Sequence, residues 1–322
     1  IYWGGGTPSQ LDKEDFETIF YYLHKNYSIS SHPEITLEAN PDDLTPDYIA
    51  MLRTLPFNRL SMGIQTFNES ILKVLQRRHT ARQAIEAFQN CRAAGFQNIS
   101  IDLMYGLPGE TLSTWQQDLD QALLLHPEHL SAYHLIYEED TVLWKLREQH
   151  KVEEADEDLS VSLFSTLIDR LTSEGYDHYE ISNFSLPGLY SRHNSSYWTE
   201  KKYLGCGPSA HSYNGVSRQW NVASLDTYIK GISAGTPVFE IEELDLYTRY
   251  NDFVITRIRT EWGMPLSKLR DEFGEKLYDY CLRMAAPHLK QGTLELVNDI
   301  LKLTRKGIFI SDGIMSDMLW TD

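Results

Sequence analysis

The run Ile1-Tyr2-Trp3-Gly4-Gly5-Gly6-Thr7-Pro8-Ser9 decides how this chain is read. Apolar and aromatic residues lead into a triple glycine and a Thr-Pro-Ser turn. Asp12 then caps the helical pattern Phe16, Ile19, Phe20, Leu23. Strand, glycines, helix is the order of a βα unit. Glycine allows positive φ and brings the backbone closer to a ligand than a Cβ would permit. Its N–H groups can then face a polar or anionic group. The spacing is not G-x-G-x-x-G, and no Lys follows the glycines, so both nucleotide fingerprints fit poorly. On its own the run reads more readily as a plain flexible turn.

Outward from that run the rhythm repeats. Residues 35–39 read as a strand ended by Asn40-Pro41, and Thr45-Pro46 starts a short helix to about Leu55. Residues 59–65 are the next strand. Asn68 and Thr80 open two helices, the second ending near Gly95. Residues 98–105 form a strand carrying Asp102, followed by the turn Gly106-Leu107-Pro108-Gly109, a helix over 111–125 and a strand over 129–136. A helix over 156–174 and a strand over 178–182 close this part. Strands separated by helices predict parallel βαβ units. The architectures that fit are a TIM-like barrel, whole or partial, or an open doubly wound sheet. Residues 183–223 break the rhythm and are rich in Asn, Ser, Gly, Tyr and Trp. From 224 the pattern is helical (224–233, 245–260, 265–272, 274–288), with extended pieces at 293–297 and 300–304. The reading is therefore a domain over 1–182, a connecting segment over 183–223 and a small, mainly helical domain over 224–322. A winged-helix shape fits that last part, but the acidic balance argues against DNA as its ligand.

The totals bound the function. The chain has 322 residues, with 29 Lys+Arg against 46 Asp+Glu and a net charge of −17. That field opposes general binding to nucleic acid or an anionic bilayer. No stretch approaches the roughly 20 apolar residues of a membrane span, and no signal peptide is visible, so the cytoplasm is the expected home. The cysteines Cys91, Cys206 and Cys281 are far apart and have neither disulfide-framework nor zinc-site spacing. Residue 1 is Ile inside an apparent strand, and the expectation is that the natural protein extends before it.

In parallel α/β folds ligands lie at the carboxyl ends of the strands. There the chain places Gly4 to Gly6 and Thr7, then Glu38, Gln65 and Asp102, with Arg77 between two helices. One such acid alone is equally well a satisfied structural carboxylate, since an unpaired buried charge is costly. Four successive strands ending in glycines, Glu, Gln and Asp make a polar ring able to hold an amino group, a ribose and an adenine. A glycosidase reading, with Glu38 and Asp102 as the carboxylate pair, lacks aromatic platforms at the strand ends. There is no G-x-S-x-G, and no Ser/His/Asp set stands out.

Taken together, Tyr2-Trp-Gly-Gly-Gly-Thr-Pro-Ser9, Leu37-Glu-Ala-Asn-Pro41, Arg59-Leu-Ser-Met-Gly-Ile-Gln-Thr-Phe67, Ile101-Asp-Leu-Met-Tyr-Gly-Leu-Pro-Gly-Glu-Thr111 and Gly207-Pro-Ser-Ala-His-Ser212 resemble a known family. It is the oxygen-independent coproporphyrinogen oxidase-like branch of the radical S-adenosylmethionine (SAM) proteins. The resemblance covers essentially the whole chain, in the family's order, and it is the set rather than any one motif that is specific. It implies an α/β fold: a partial TIM-like (β/α)6 barrel, lacking its first strand in this sequence, plus a small helical C-terminal domain. It also implies a four-iron–four-sulfur cluster held by a CxxxCxxC loop after that first strand. The loop is not in this sequence, and no cysteine here has its spacing. By position the resemblance assigns Gly5, Gly6, Thr7, Glu38, Gln65, Arg77 and Asp102 to SAM. No catalytic residue and no metal ligand of the cluster is assigned. Without the cluster's iron, SAM is expected to bind residues 1–322 weakly or not at all.

Two functions occur in the branch. One is an enzyme that uses SAM radical chemistry to decarboxylate two propionates of coproporphyrinogen III, giving protoporphyrinogen IX. The other is a haem chaperone, which binds haem and delivers it to acceptor proteins. Arg192-His-Asn-Ser-Ser-Tyr-Trp198 is similar to the HNxxYW motif of the chaperone group. An imidazole can ligate haem iron and aromatics can pack on the macrocycle. His193 is thus the haem-ligand candidate, although a lone His among aromatics is as often structural, and His211 reads as structural. The expected function is the haem chaperone, with the oxidase as alternative. A TIM-like enzyme outside the family leaves the ordered motifs unexplained. Expected partners are haem or porphyrinogen and haem-acceptor proteins, with no nucleic acid.

Overall fold

A computed structural model gives the fold and describes residues 1–321. β1 (Tyr2–Trp3) stops at the glycines, and α1 (Lys13–Asn26) begins under a capping box in which Asp12 and Asp15 each accept the other's backbone N–H. Then follow β2 (Thr36–Ala39), α2 (Pro46–Leu52), β3 (Arg59–Gln65), α3 (Glu69–Val74), α4 (Ala81–Ala93), β4 (Ile99–Tyr105), α5 (Leu112–Leu124) and β5 (His129–His134). Asn68 and Thr80 cap α3 and α4 as their residue types predict. α6 (Val142–Glu148), α7 (Glu157–Ser173), β6 (Asp177–Glu180) and β7 (Asn183–Ser185) complete the first compact unit, Ile1–His193.

Its seven strands run in the order β1-β2-β3-β4-β5-β7-β6. β1 to β5 pair in parallel, as the βα rhythm predicts. The sheet does not close, so the barrel is partial. Past β5 it departs from the expected single strand over 178–182: β6 and β7 form an antiparallel pair, with β7 against β5. The chain reverses at Ile181-Ser182, too short a link for a parallel crossover.

Alternation along the strands separates two environments. Leu37, Leu60, Met62, Ile64, Ile99, Ile101, Leu103 and Leu130 are fully buried, as in a helix-covered sheet. Trp3 packs with Phe16, Phe20 and Phe57, their rings 5.1–5.7 Å apart. The intervening residues are polar: Glu38 on β2, Ser61 and Gln65 on β3, Asp102 on β4, Ser131 on β5. That polar face carries the site.

The second unit is Asn194–Asp322. α8 (Arg192–Trp198) bridges the end of one unit and the start of the next in sequence. The second unit has a three-stranded antiparallel sheet of β8 (His211–Tyr213), β9 (Ser217–Asn221) and β10 (Phe239–Glu243), with α9 (Leu225–Ser233) between the last two. The sequence reading did not anticipate this sheet. α10 (Leu246–Ile258), β11 (Met264–Pro265), α11 (Leu266–Gln291), β12 (Leu294–Val297), β13 (Ile300–Leu303), α12 (Arg305–Ile308) and α13 (Ser311–Met318) follow. β12 and β13 form the expected hairpin, with β11 on its other side. Gly274, at φ 80° and ψ 171°, breaks α11 between the two expected helices. Among the described residues no helix is long and apolar enough to cross a membrane.

Candidate functional site

Glu38 lies near the end of β2 and Gln65 ends β3, whereas Asp102 sits in the middle of β4 rather than at its end, because that strand runs on to Tyr105. Tyr2 Oη donates to Glu38 Oε1 at 2.5 Å, and the Gly5 amide donates to Glu38 Oε2 at 3.2 Å. Glu38 thus clamps the glycine turn to β2. Gly5 and Gly6 adopt φ of 75° and 62°, which explains why glycine stands there. At Gly4 a Cβ would lie 2.5 Å from the Tyr2 ring and 2.8 Å from Glu38 Oε1. Thr7 follows, exposed, its carbonyl accepting the Gln10 amide. Burial first, then the Glu38 charge, pushes the Tyr2 hydroxyl far above its ordinary range, so it stays a donor.

Glu38 is register partner to Ser61, whose hydroxyl donates to Asp102 at 3.2 and 3.3 Å. Burial raises Asp102 to about 6, while hydrogen bonds from Ser131 and Ser61 and the positive charge of Arg59 oppose the rise. Gln65 sits at φ 73°, where the β3–β4 register slips between Gly63 and Gln65. This left-handed residue at a bulge is local strain of the kind concentrated at ligand sites. A Cβ on Gly63 would meet Gln65 Nε2 at 3.1 Å and Arg77 Nη2 at 3.6 Å, so the glycine makes room for both. Arg77 Nη2 donates to Asn40 Oδ1 at 2.7 Å and to the Gly63 carbonyl at 2.8 Å. The arginine therefore ties the ends of β2 and β3 together.

The motif histidine joins the same surface. The His193 ring stacks on Tyr2 at 4.1 Å and 11°. Glu34 accepts the backbone N–H groups of Arg192 and His193, each at 3.1 Å, and so caps the start of α8. Burial above all pushes His193 down to about 4, leaving a neutral imidazole at neutral pH. In the second unit Tyr197 meets the Tyr203 ring edge-on at 4.9 Å, and the Arg259 guanidinium lies over Trp198 at 4.1 Å. His211 is exposed and its ring lies 6.0 Å from Trp220. Its backbone explains the motif around it, because a Cβ on Gly205 would fall 2.2 Å from the His211 carbonyl.

Residues 1–122 match the Radical SAM superfamily and residues 244–310 the HemN C-terminal domain. The heme chaperone HemW of Lactococcus lactis is 32% identical over 100% of this chain and 85% of its own length. That of Bacillus subtilis is 30% identical over 99% of this chain and 85% of its own. This chain belongs to the HemW family. Its fold is that of coproporphyrinogen III oxidase (HemN) from Escherichia coli, with a TM-score of 0.84 at 23% identity over 98% of this chain and 76% of that one.

Read as a HemW family member, the chain brings together Gly5, Glu38, Gln65, Arg77 and Asp102 around β1 to β4. The sequence reading missed Tyr2, Asn40, Ser61 and Arg59. The signal was available: Arg59, Ser61, Gly63 and Gln65 alternate on one side of β3. Arg59 is 2% exposed, and its Nε is one of the buried polar atoms without a hydrogen bond. No group of three or more His, Cys, Asp or Glu suited to a metal ion occurs among the described residues. Cys91 and Cys281 are buried and Cys206 is exposed, so the residues present do not fit a four-iron–four-sulfur cluster.

Proposed function

We propose that this chain is a haem chaperone, which binds haem and passes it to acceptor proteins in the cytoplasm. The observation that carries the reading is the relation to HemW proteins along the whole chain. The placement of the HNxxYW histidine adds chemical support. A neutral imidazole is the form that ligates haem iron, and the His193 ring, stacked on Tyr2, is neutral at neutral pH. We assign His193 as that ligand.

We further assign Gly5, Gly6, Thr7, Glu38, Gln65, Arg77 and Asp102 to SAM. SAM, when bound, supplies a reactive sulfonium; the residues here bind and orient it. Glu38 offers a carboxylate to an ammonium, and Asp102 one to ribose hydroxyls. Arg77 already spends Nη2 on Asn40 and Gly63, so its share would be to hold the ends of β2 and β3 in place and to lend its positive charge to a carboxylate. No step is drawn through the cluster, whose cysteines this sequence lacks.

The test is haem titration followed by the Soret band, with His193→Ala beside the parent. A shifted, saturable Soret band that His193→Ala loses supports the chaperone. A companion anaerobic assay supplies SAM, reductant and coproporphyrinogen III, with iron and sulfide for cluster reconstitution. Protoporphyrinogen formation there would overturn the reading in favour of the oxidase.

A further inference from the structure

The second unit contains a cavity of about 200 Å³ that the SAM and His193 assignments do not use. Tyr197, Tyr203 and Tyr213 form one wall. Tyr203 and Tyr213 exchange backbone hydrogen bonds of 3.0 and 2.9 Å, their rings are 6.1 Å apart, and Tyr197 packs edge-on against Tyr203. The wall is held by backbone as well as by ring contacts, so it needs little ordering on binding. Burial raises all three hydroxyls above their ordinary range, which keeps them protonated donors.

The charges lining this cavity are not balanced in the way their number suggests. Glu200 is held by Arg257 at 2.9 Å and Lys268 at 2.7 Å. Asp252 is paired with Arg218, and Glu272 lies 3.5 Å from Lys268. Arg249 and Lys201 also line the cavity, yet neither makes an ion pair or a side-chain hydrogen bond among the described residues. Each of these acids has a cation within 4 Å, whereas Lys201 and Arg249 have no acid that close among the described residues, although the charge of Arg249 also acts on Asp245. A rigid tyrosine wall beside unspent guanidinium and ammonium groups recognises a carboxylate attached to a flat apolar body. The volume is too small for a macrocycle, since sites for whole small molecules run to about 300 Å³ and more. It suits a carboxylate-bearing arm, with Tyr197, 37% exposed, at the rim.

We propose that this cavity receives one propionate arm of a tetrapyrrole, with Arg249 and Lys201 meeting its carboxylate and Tyr197 meeting the ring edge. The inference rests on the chaperone reading for the identity of the ligand, and on the cavity alone for its chemistry.

The experiment compares haem, haem dimethyl ester and metal-free mesoporphyrin on the parent protein, on Lys201→Gln and on the Arg249→Gln/Lys201→Gln pair, by Soret shift and tryptophan quenching. Circular dichroism and thermal melting check the fold, and Lys201→Gln, at an exposed position, serves should the pair unfold. Each cation lost is expected to weaken haem about tenfold. The dimethyl ester should bind parent and variants alike. Equal haem affinity in parent and variants would overturn the subsite and leave the chaperone reading standing. Arg249- and Lys201-dependent mesoporphyrin binding by a protein that ignores haem would keep the subsite and overturn the carrier. Binding of neither ligand by the parent overturns both.

Discussion

Glu38 is the residue on which the glycine turn depends. Its two oxygens take one hydrogen bond each from Tyr2 and Gly5, and Tyr2 in turn stacks on His193. Glu38→Ala would leave a half-buried hydroxyl and an amide without their acceptor, a loss of about 1–3 kcal/mol. Urea unfolding should show that loss, with Glu38→Gln milder because its amide oxygen still accepts. Glu110 makes the second prediction. It accepts the Gly106 and Leu107 amides at 2.6 and 3.2 Å, and burial raises it to about 7. The folded pKa lies above the usual carboxyl value, so the folded state holds the proton more tightly. Its contribution is complete below about pH 4.5 and fades as pH rises through about 7. Stability measured across that window should fall by about 3 kcal/mol, and Glu110→Gln should flatten the dependence while keeping both amide bonds. A third prediction concerns SAM itself. The only sulfur ligands are three scattered cysteines, so calorimetry on residues 1–322 alone should detect weak SAM binding or none.

At the scale of elements, periodicity and caps carried most of the reading. Asp12, Thr45, Asn68 and Thr80 cap the helices they were expected to start. These are local signals, decided by a side-chain oxygen and an amide two or three residues on. The elements missed were short or non-local. α8 has seven residues and no apolar stripe, and its start is capped by Glu34, far away in sequence. β9 and β10 pair across α9, a contact that alternation alone cannot report. β7 turns back because the two-residue link after β6 is too short for a crossover. α11 supplies a test. Gly274 adopts φ 80° and ψ 171°, a region nearly closed to other residues, and an added Cβ would meet nothing within 4 Å. Gly274→Ala should therefore cost about 1–3 kcal/mol through backbone strain alone. Thermal unfolding would reveal it; an unchanged midpoint would mean that the chain relaxes there.

For the whole molecule the net charge of −17 is the dominant long-range term. Self-repulsion of that size opposes compactness and is screened by salt, with a Debye length of about 30 Å at 0.01 M and about 8 Å at 0.15 M. The melting temperature should rise by a few degrees between those conditions, and a fall would show that attractive pairs such as Arg92–Glu128 and Arg78–Asp42 outweigh the repulsion.

The parallel βα order, the helix caps, the two helices flanking Gly274 and the polar strand residues Glu38, Gln65 and Asp102 were legible in the residues alone. They were so because period, cap chemistry and glycine are written within a few residues of where they act. That Glu38 clamps Gly5 and Tyr2, that Arg77 spans Asn40 and Gly63, and that His193 rests on Tyr2 emerged with the fold. Those pairs lie 14 to 191 positions apart along the chain; the first two meet because parallel pairing sets β1 to β3 side by side, and the last because Glu34 holds the start of α8 beside β1.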